Sequence, residues 1–156
     1  MIFFLKQYRN TISRRRLNHK ITQRFNKGEK IKIILGSGGL CQAGWITTDI
    51  DMLNVLRHDD WQYCFRTGSI DALLAEHVWE HLTPEDGLIA ARNCYKYLKP
   101  GGYFRVAVPD GFHTSADYIE HVQPAGTGSG AEDHKILYNF ISLSQIFNQA
   151  GFNIDL

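Results

Sequence analysis

His77, Glu80 and His81 stand in an H-x-x-E-H spacing within the stretch AEHVWEH, residues 75–81. Two imidazoles and a carboxylate in that pattern are the ligand set of an inverted zinc peptidase, provided both histidines share a helical face and a further acid completes the shell. A second group is Gly36-Ser37-Gly38-Gly39, which directly follows an apolar run. Glycines there let the backbone approach a ligand and offer unpaired N–H groups to it. A third group is acidic: Asp49 and Asp51, then Asp59, then Glu76, then Asp110. His113 and His134 complete the chemistry-bearing set, as groups able to take a proton near neutral pH.

These residues must be held by regular elements, and the hydrophobic pattern predicts where those lie. Ile31, Ile33, Ile34 and Leu35 form a short β-branched run stopped by glycines, which predicts a buried strand entering a tight loop. Residues 45–48 and 69–75 read as further strands. TPEDGLIAARNCYKYLKPGG is the clearest helix: Thr83 can cap it, Pro84 suits its first turn, and Leu88, Ile89, Ala91, Tyr95 and Leu98 fall on one stripe. YFRVAVPD is then a strand, and residues 111–133 a polar, Gly-rich loop. HKILYNFISLSQIFNQAGF is a second helix, opened by His134, with Tyr138 and Phe140 in its core and Gly151 at its stop. FNIDL reads as the opening of another strand. Strands alternating with helices predict an α/β fold with a mostly parallel sheet. Ligands of such sheets bind at the carboxyl ends of the strands. The glycine loop, Asp49 and Asp51, Glu76 and His77, and Asp110 all stand there.

A dinucleotide fingerprint does not fit the loop, because Cys41 occupies the third glycine position. Asp49 follows Gly36 by 13 positions, whereas the acid of that fingerprint lies about 20 on. Residues 39–45 are also too few for an ordinary crossover helix.

The chain has 156 residues, 44% hydrophobic and 21% charged, with a formal net charge of +1. That balance gives no sign of a specific nucleic-acid partner. The basic charge is nevertheless uneven. Lys6, Arg9, Arg14, Arg15, Arg16, Lys20, Arg24 and Lys27 fall in residues 1–28, which hold no acid. Ile2, Leu5, Tyr8, Ile12, Ile21 and Phe25 interleave with them at helical spacing. Residues 1–28 are therefore expected to be a basic amphipathic helix, with an interruption near residues 14–16. It would either rest solvated on the domain, the favoured reading, or contact an anionic membrane surface. Residues 29–156 would form the domain proper. Cys41, Cys64 and Cys94 share no motif spacing and read as reduced thiols. No apolar run approaches membrane-spanning length, and MIFFL is too short for a secretory core. The expected location is cytoplasmic, with or without peripheral membrane contact.

KIILGSGG followed by WITTDID resembles the first two motifs of class I S-adenosylmethionine-dependent methyltransferases. The resemblance implies that Gly36, Ser37 and Gly38 cradle the methionine end of the cofactor. It implies that Asp49 accepts hydrogen bonds from the ribose, with Asp51 the second choice. Asp59 and Asp71, with Phe65 between them, are similar to the family's D-x₁₁-D stretch, which makes Asp59 the adenine candidate with Asp60 beside it. Tyr63-Cys64 replaces a Leu-Pro pair common there. SIDALLAEHVWEHL is similar to the fourth strand and its turn. Residues 87–110 resemble the next helix, its Lys-Pro-Gly-Gly turn and the fifth strand, and LSQIFNQAGF resembles the helix before the sixth strand.

What the resemblance implies is a Rossmann-like three-layer sandwich over residues 30–154 of the type 11 kind, similar to short bacterial enzymes of cell-surface sugar pathways. S-adenosylmethionine would be the cofactor and a small molecule or sugar the methyl acceptor. His134 would be the general base, Asp110 its orienting partner or an acceptor ligand, and His113 a third choice. Glu76 and His77 would line the cofactor cleft or simply pin the turn. The zinc reading through His77, Glu80 and His81 is much weaker, since residues 70–75 read as a strand and the two histidines then share no helical face; no metal is expected. Family members usually have seven strands, and this chain stops within the sixth. The expectation is a domain incomplete at its C-terminus, with an edge that an oligomer or a partner chain would complete. A cofactor-binding or scaffolding module without turnover stands as the alternative.

Overall fold

The computed structural model describes the backbone of residues 2–156 and the side chains of residues 11–156. The apolar positions expected at Ile2, Leu5 and Tyr8 thus lie outside the described side chains. In chain order the elements are α1 (Ile2–Asn26), β1 (Lys32–Leu35), β2 (Ile46–Thr47), α2 (His58–Cys64), β3 (Ile70–Glu76), α3 (Pro84–Tyr97), β4 (Leu98–Ala107), α4 (Ala116–Val122) and α5 (Phe140–Ala150). Single 3₁₀ turns occupy Trp79–His81 and Ala131–Asp133. The sheet order is β2-β1-β3-β4. β1 runs parallel to β2, with Ile33 opposite Ile46, and parallel to β3, with Ile33 opposite Leu73. This is the expected α/β alternation around a parallel sheet. None of the described helices is long and apolar enough to cross a membrane.

The chain divides into two compact units: residues up to Ala75 with Lys96–Arg105, and Glu76–Tyr95 with Val106–Leu156. In the first unit, Ile33, Leu35, Leu73 and Ala75 are wholly buried, as central parallel strands require. β1 and β2 are joined without any helix. The connection is instead a series of turns, with Leu40 N–H donating to Ser37 C=O and Trp45 N–H to Gln42 C=O. Thr48 locks it, since its N–H and its hydroxyl both donate to Ile34 C=O at 2.8 Å.

The basic helix α1 is continuous through residues 14–16, without the expected interruption. Leu17 and Ile21 are buried. Arg14 pairs with Asp60 of α2 at 3.1 Å, and Asn18 donates to Tyr63 C=O. Trp61 stacks on Tyr97 at 5.5 Å, with Phe65 against both rings. At the other end of the sheet, Asp71 accepts from Ile31 N–H at 2.7 Å and from Lys99 Nζ at 2.8 Å. Of the thiols, Cys41 is exposed while Cys64 and Cys94 are buried, and all three are free.

In the second unit, α3 starts as expected, with Thr83 Oγ1 accepting from Asp86 N–H at 3.2 Å. Trp79 is wholly buried, packs on Phe147 at 5.2 Å and donates from its indole to Gly87 C=O. Several expectations are corrected here. The last helix begins at Phe140, not at His134, because Asn139 and Ser142 form a reciprocal capping box there. Residues 134–139 form no helix, with His134 and Asn139 extended, and are pinned by Lys135 N–H donating to Glu80 C=O at 2.7 Å. Tyr138 is buried but lies before the helix, and Phe140 is 53% exposed rather than core. The expected loop 111–133 contains α4, whose cap is Ser115. FNIDL forms no strand. Gly151, in the left-handed region at φ 107°, turns the chain so that Phe152 N–H returns to Phe147 C=O and its ring packs on Phe147.

Candidate functional site

The carboxyl end of β1 opens into the glycine loop. Gly36 and Gly38 take φ values of 58° and 54°, a region that suits glycine and strains other residues. Ser37 between them is buried, and its N–H donates to Thr48 C=O at 2.9 Å. Asp49, just past β2, then closes on the loop: Oδ2 accepts from Ser37 Oγ and Oδ1 accepts from Gly38 N–H, both at 3.0 Å. Two strand ends thus bring a carboxylate and a glycine-rich backbone side by side, with the N–H groups of Ser37, Gly38, Gly39 and Leu40 each bonded within the chain. A Cβ added at Gly38 or Gly39 would meet nothing within 4 Å, so this stretch of backbone faces open space. A polar ligand can reach the loop and the carboxylate together, as the cofactor implied by the sequence would need to.

Of the predicted cofactor residues, Gly36, Ser37, Gly38 and Asp49 are brought together. Asp51 follows in a turn where Met52 and Leu53 N–H groups donate to Asp49 C=O. Asp59 sits in the exposed first turn of α2. Its neighbour Asp60 has a structural task, buried and bound by Arg14 and by Asn54 N–H.

The second unit holds Glu76 at the end of β3 and His77 next to it. His77 has φ 55°, a strained value for a side chain with a Cβ, and its N–H donates to Ala107 C=O at 3.0 Å. Its side chain is 72% exposed, yet Nδ1 donates to Oε1 of Glu80, which is 1% exposed, at 3.0 Å. His134 caps the 3₁₀ turn Ala131–Asp133 and donates from Nδ1 to Val122 C=O at 2.7 Å. Its ring meets His81 edge-on, with centroids 4.8 Å apart. Burial, and after it the charges of Glu80 and Glu85, push the Tyr138 phenol up to about 12.

Asp110 and His113 belong to a different cluster. Asp110 accepts from Phe112 N–H and donates its own N–H to the Tyr118 hydroxyl, while the His113 ring lies 4.1 Å from that of Tyr118. A cleft of about 490 Å³ runs beside them, lined by His113, Ile119 and Glu120. The orienting partner of His134 is therefore the Val122 carbonyl rather than Asp110. The H-x-x-E-H residues do not assemble as a peptidase triad either. Among the described residues, the group that gathers is Glu80, His81 and His134. Sequence reasoning missed that set because it weighed Glu80 and His81 only within the H-x-x-E-H motif and His134 only as a general base.

A protein-family model described as a methyltransferase domain matches residues 43–106. The fold is similar to that of a SAM-dependent methyltransferase from Archaeoglobus fulgidus, with TM-score 0.62 and 18% identity over 98% of this chain and 75% of that one. It is also similar to Haemonchus contortus phosphoethanolamine N-methyltransferase 2, determined in complex with S-adenosyl-L-methionine. There the TM-score is 0.50 and the identity 20%, over 86% of this chain and 36% of that one. No curated protein sequence matches the chain. The matched segment runs from the end of the glycine-loop connection into β4, and the fold is the expected Rossmann-like one.

Proposed function

We propose that the chain is a class I S-adenosylmethionine-dependent methyltransferase in which Gly36, Ser37, Gly38 and Asp49 hold the cofactor while a small-molecule or sugar acceptor receives the methyl group, a reading supported by the fold and by the methyltransferase-domain match over residues 43–106. The observation that carries the assignment is the pair of hydrogen bonds that Ser37 Oγ and Gly38 N–H donate to the Asp49 carboxylate. It sets an anionic acceptor for ribose hydroxyls against the open glycine loop. Asp51 and Asp59 are the further candidates toward the nucleoside, and Glu76 and His77 are cofactor candidates by the sequence resemblance alone. When bound, the cofactor supplies an activated methyl group on a sulfonium. The chain's own task is then to bind, orient and exclude water.

Calorimetric titration with S-adenosylmethionine tests this. A folded chain should bind one cofactor. Asp49→Ala should weaken binding by about 10- to 100-fold, the worth of hydrogen bonds to a charged group. Unchanged affinity would remove Asp49 from the site. Transfer of a labelled methyl group to a panel of sugars, set against other small hydroxyl and amine compounds, separates the sugar reading from the broader one. Binding without transfer to any of them would favour a cofactor-binding module.

We infer two further associations. Residues 1–28 rest on the domain, a reading supported by the burial of Leu17 and Ile21 and by the pair of Arg14 with Asp60; retention of the chain on anionic vesicles would instead favour membrane contact. β2 and β4 end the sheet order, so a second chain can add a strand there, and sedimentation would detect it.

A further inference from the structure

We propose that Glu80, His81 and His134 bind one divalent transition-metal ion of the zinc class. One ligand atom from each residue lies within 4.8 Å of the other two. Tetrahedral donors about 2 Å from one ion stand about 3.3 Å apart, so the side chains close by up to about 1.5 Å on binding it.

The carboxylate supplies a second, independent pointer. Glu80 is 1% exposed; its Oε1 is engaged by His77, while Oε2 is buried with no hydrogen-bond partner. A buried carboxylate oxygen without a donor is costly, and a cation would remove that cost. The histidine supplies a third. Because His134 Nδ1 donates to Val122 C=O at 2.7 Å, its lone pair sits on Nε2. Metal-bound histidines are held in this way, with the far nitrogen fixed by a carbonyl or carboxylate. His77 plays the matching part for Glu80 by fixing one carboxylate oxygen and leaving the other.

The donors are also well anchored. Lys135 N–H donates to Glu80 C=O at 2.7 Å, which ties the segment carrying His134 to the turn carrying Glu80 and His81. Two imidazoles favour zinc and its neighbours over magnesium or calcium. Three protein donors leave a fourth position for water or another oxygen ligand. Ligation uses the Nε2 lone pair that a general base would use, so His134 cannot do both at once. The set also differs from a peptidase triad, because His77 stays outside it.

The test loads the full chain with Zn²⁺, removes loose metal by dialysis and measures the metal retained per chain. Co²⁺ serves as a visible-absorption probe of the donor set. One ion per chain is expected. His81→Gln, His134→Gln and Glu80→Gln should each weaken it at least about tenfold, while His19→Ala, on the exposed face of α1, should leave it unchanged. Circular dichroism and melting in metal-free buffer show whether each variant is folded. A folded wild-type chain that retains no stoichiometric ion, or that binds it equally well in all three ligand variants, overturns the proposal. Neither result bears on S-adenosylmethionine binding, which is titrated separately.

Discussion

Asp49 and Glu80 each follow a strand of the same sheet, and their surroundings are opposite. Asp49 is half-buried beside a loop facing open space, and both of its oxygens are taken by donors of that loop. Glu80 is buried, with one oxygen on His77 and the other without a donor. A carboxylate already satisfied by its own chain can exchange those bonds for ligand hydroxyls at little cost. A buried carboxylate left half satisfied calls for a cation. The first stands on an open glycine loop; the second belongs to a core that packing has to hold together.

The sharpest way to break this contrast is through packing. Trp79→Ala should destabilise the chain by about 3–5 kcal/mol in denaturant titration, because a fully buried indole packed against Phe147 is lost beside Glu80. The matching change near the Asp49 loop is Leu40→Ala. Leu40 is 60% exposed, and the expected effect is within about 0.5 kcal/mol. Equal losses would end the distinction between a packed and an open region.

A smaller effect is expected from Gly38→Ala. There is room for the methyl group, but φ 54° strains it. The expected cost is about 1–2 kcal/mol of stability, read by the same titration. A neutral result would mean that the loop relaxes freely.

Asp71 offers the finest test, as a third carboxylate between the two cases. Burial pushes its acidity one way, but the hydrogen bonds from Lys99 and Ile31, with the charges of Lys99 and Lys30, outweigh this and hold its pKa below the ordinary value. A lowered folded-state pKa contributes stability above the unfolded pKa of about 4 and loses it as pH falls through the lowered value. Melting followed from pH 6 downward should therefore show a loss below about pH 4, and Asp71→Asn should flatten that part of the profile. An unchanged profile would place the acid sensitivity elsewhere.

Local signals in the sequence proved readable where the structure uses local bonds. Thr83 caps α3, glycines end β1, and Asp49 stands by the loop because each depends on neighbours or on adjacent strand ends. The start of α5 was misread because Ile136, Leu137 and Tyr138 continue an apolar run while the decisive bonds are elsewhere. Asn139 and Ser142 set the true start, and Glu80, far back in the chain, takes the N–H groups of residues 135 and 136. The meeting of His81 with His134 was illegible for the same reason. The helix-free link from β1 to β2 rests on the hold of Thr48 upon Ile34, which spacing alone does not announce.

The unequal burial of the three thiols makes the chain its own reporter. Burial pushes the Cys64 thiol up to about 12, helped by Asp60 against Arg14, and burial pushes Cys94 well above its usual value. Both are poor nucleophiles. Cys41 is exposed and lies three positions past Gly38. A maleimide dye should therefore attach there first, placing a fluorescent label at the rim of the glycine loop in the unmodified sequence. Its emission, or its protection from labelling, would follow occupancy of the loop without any engineered cysteine.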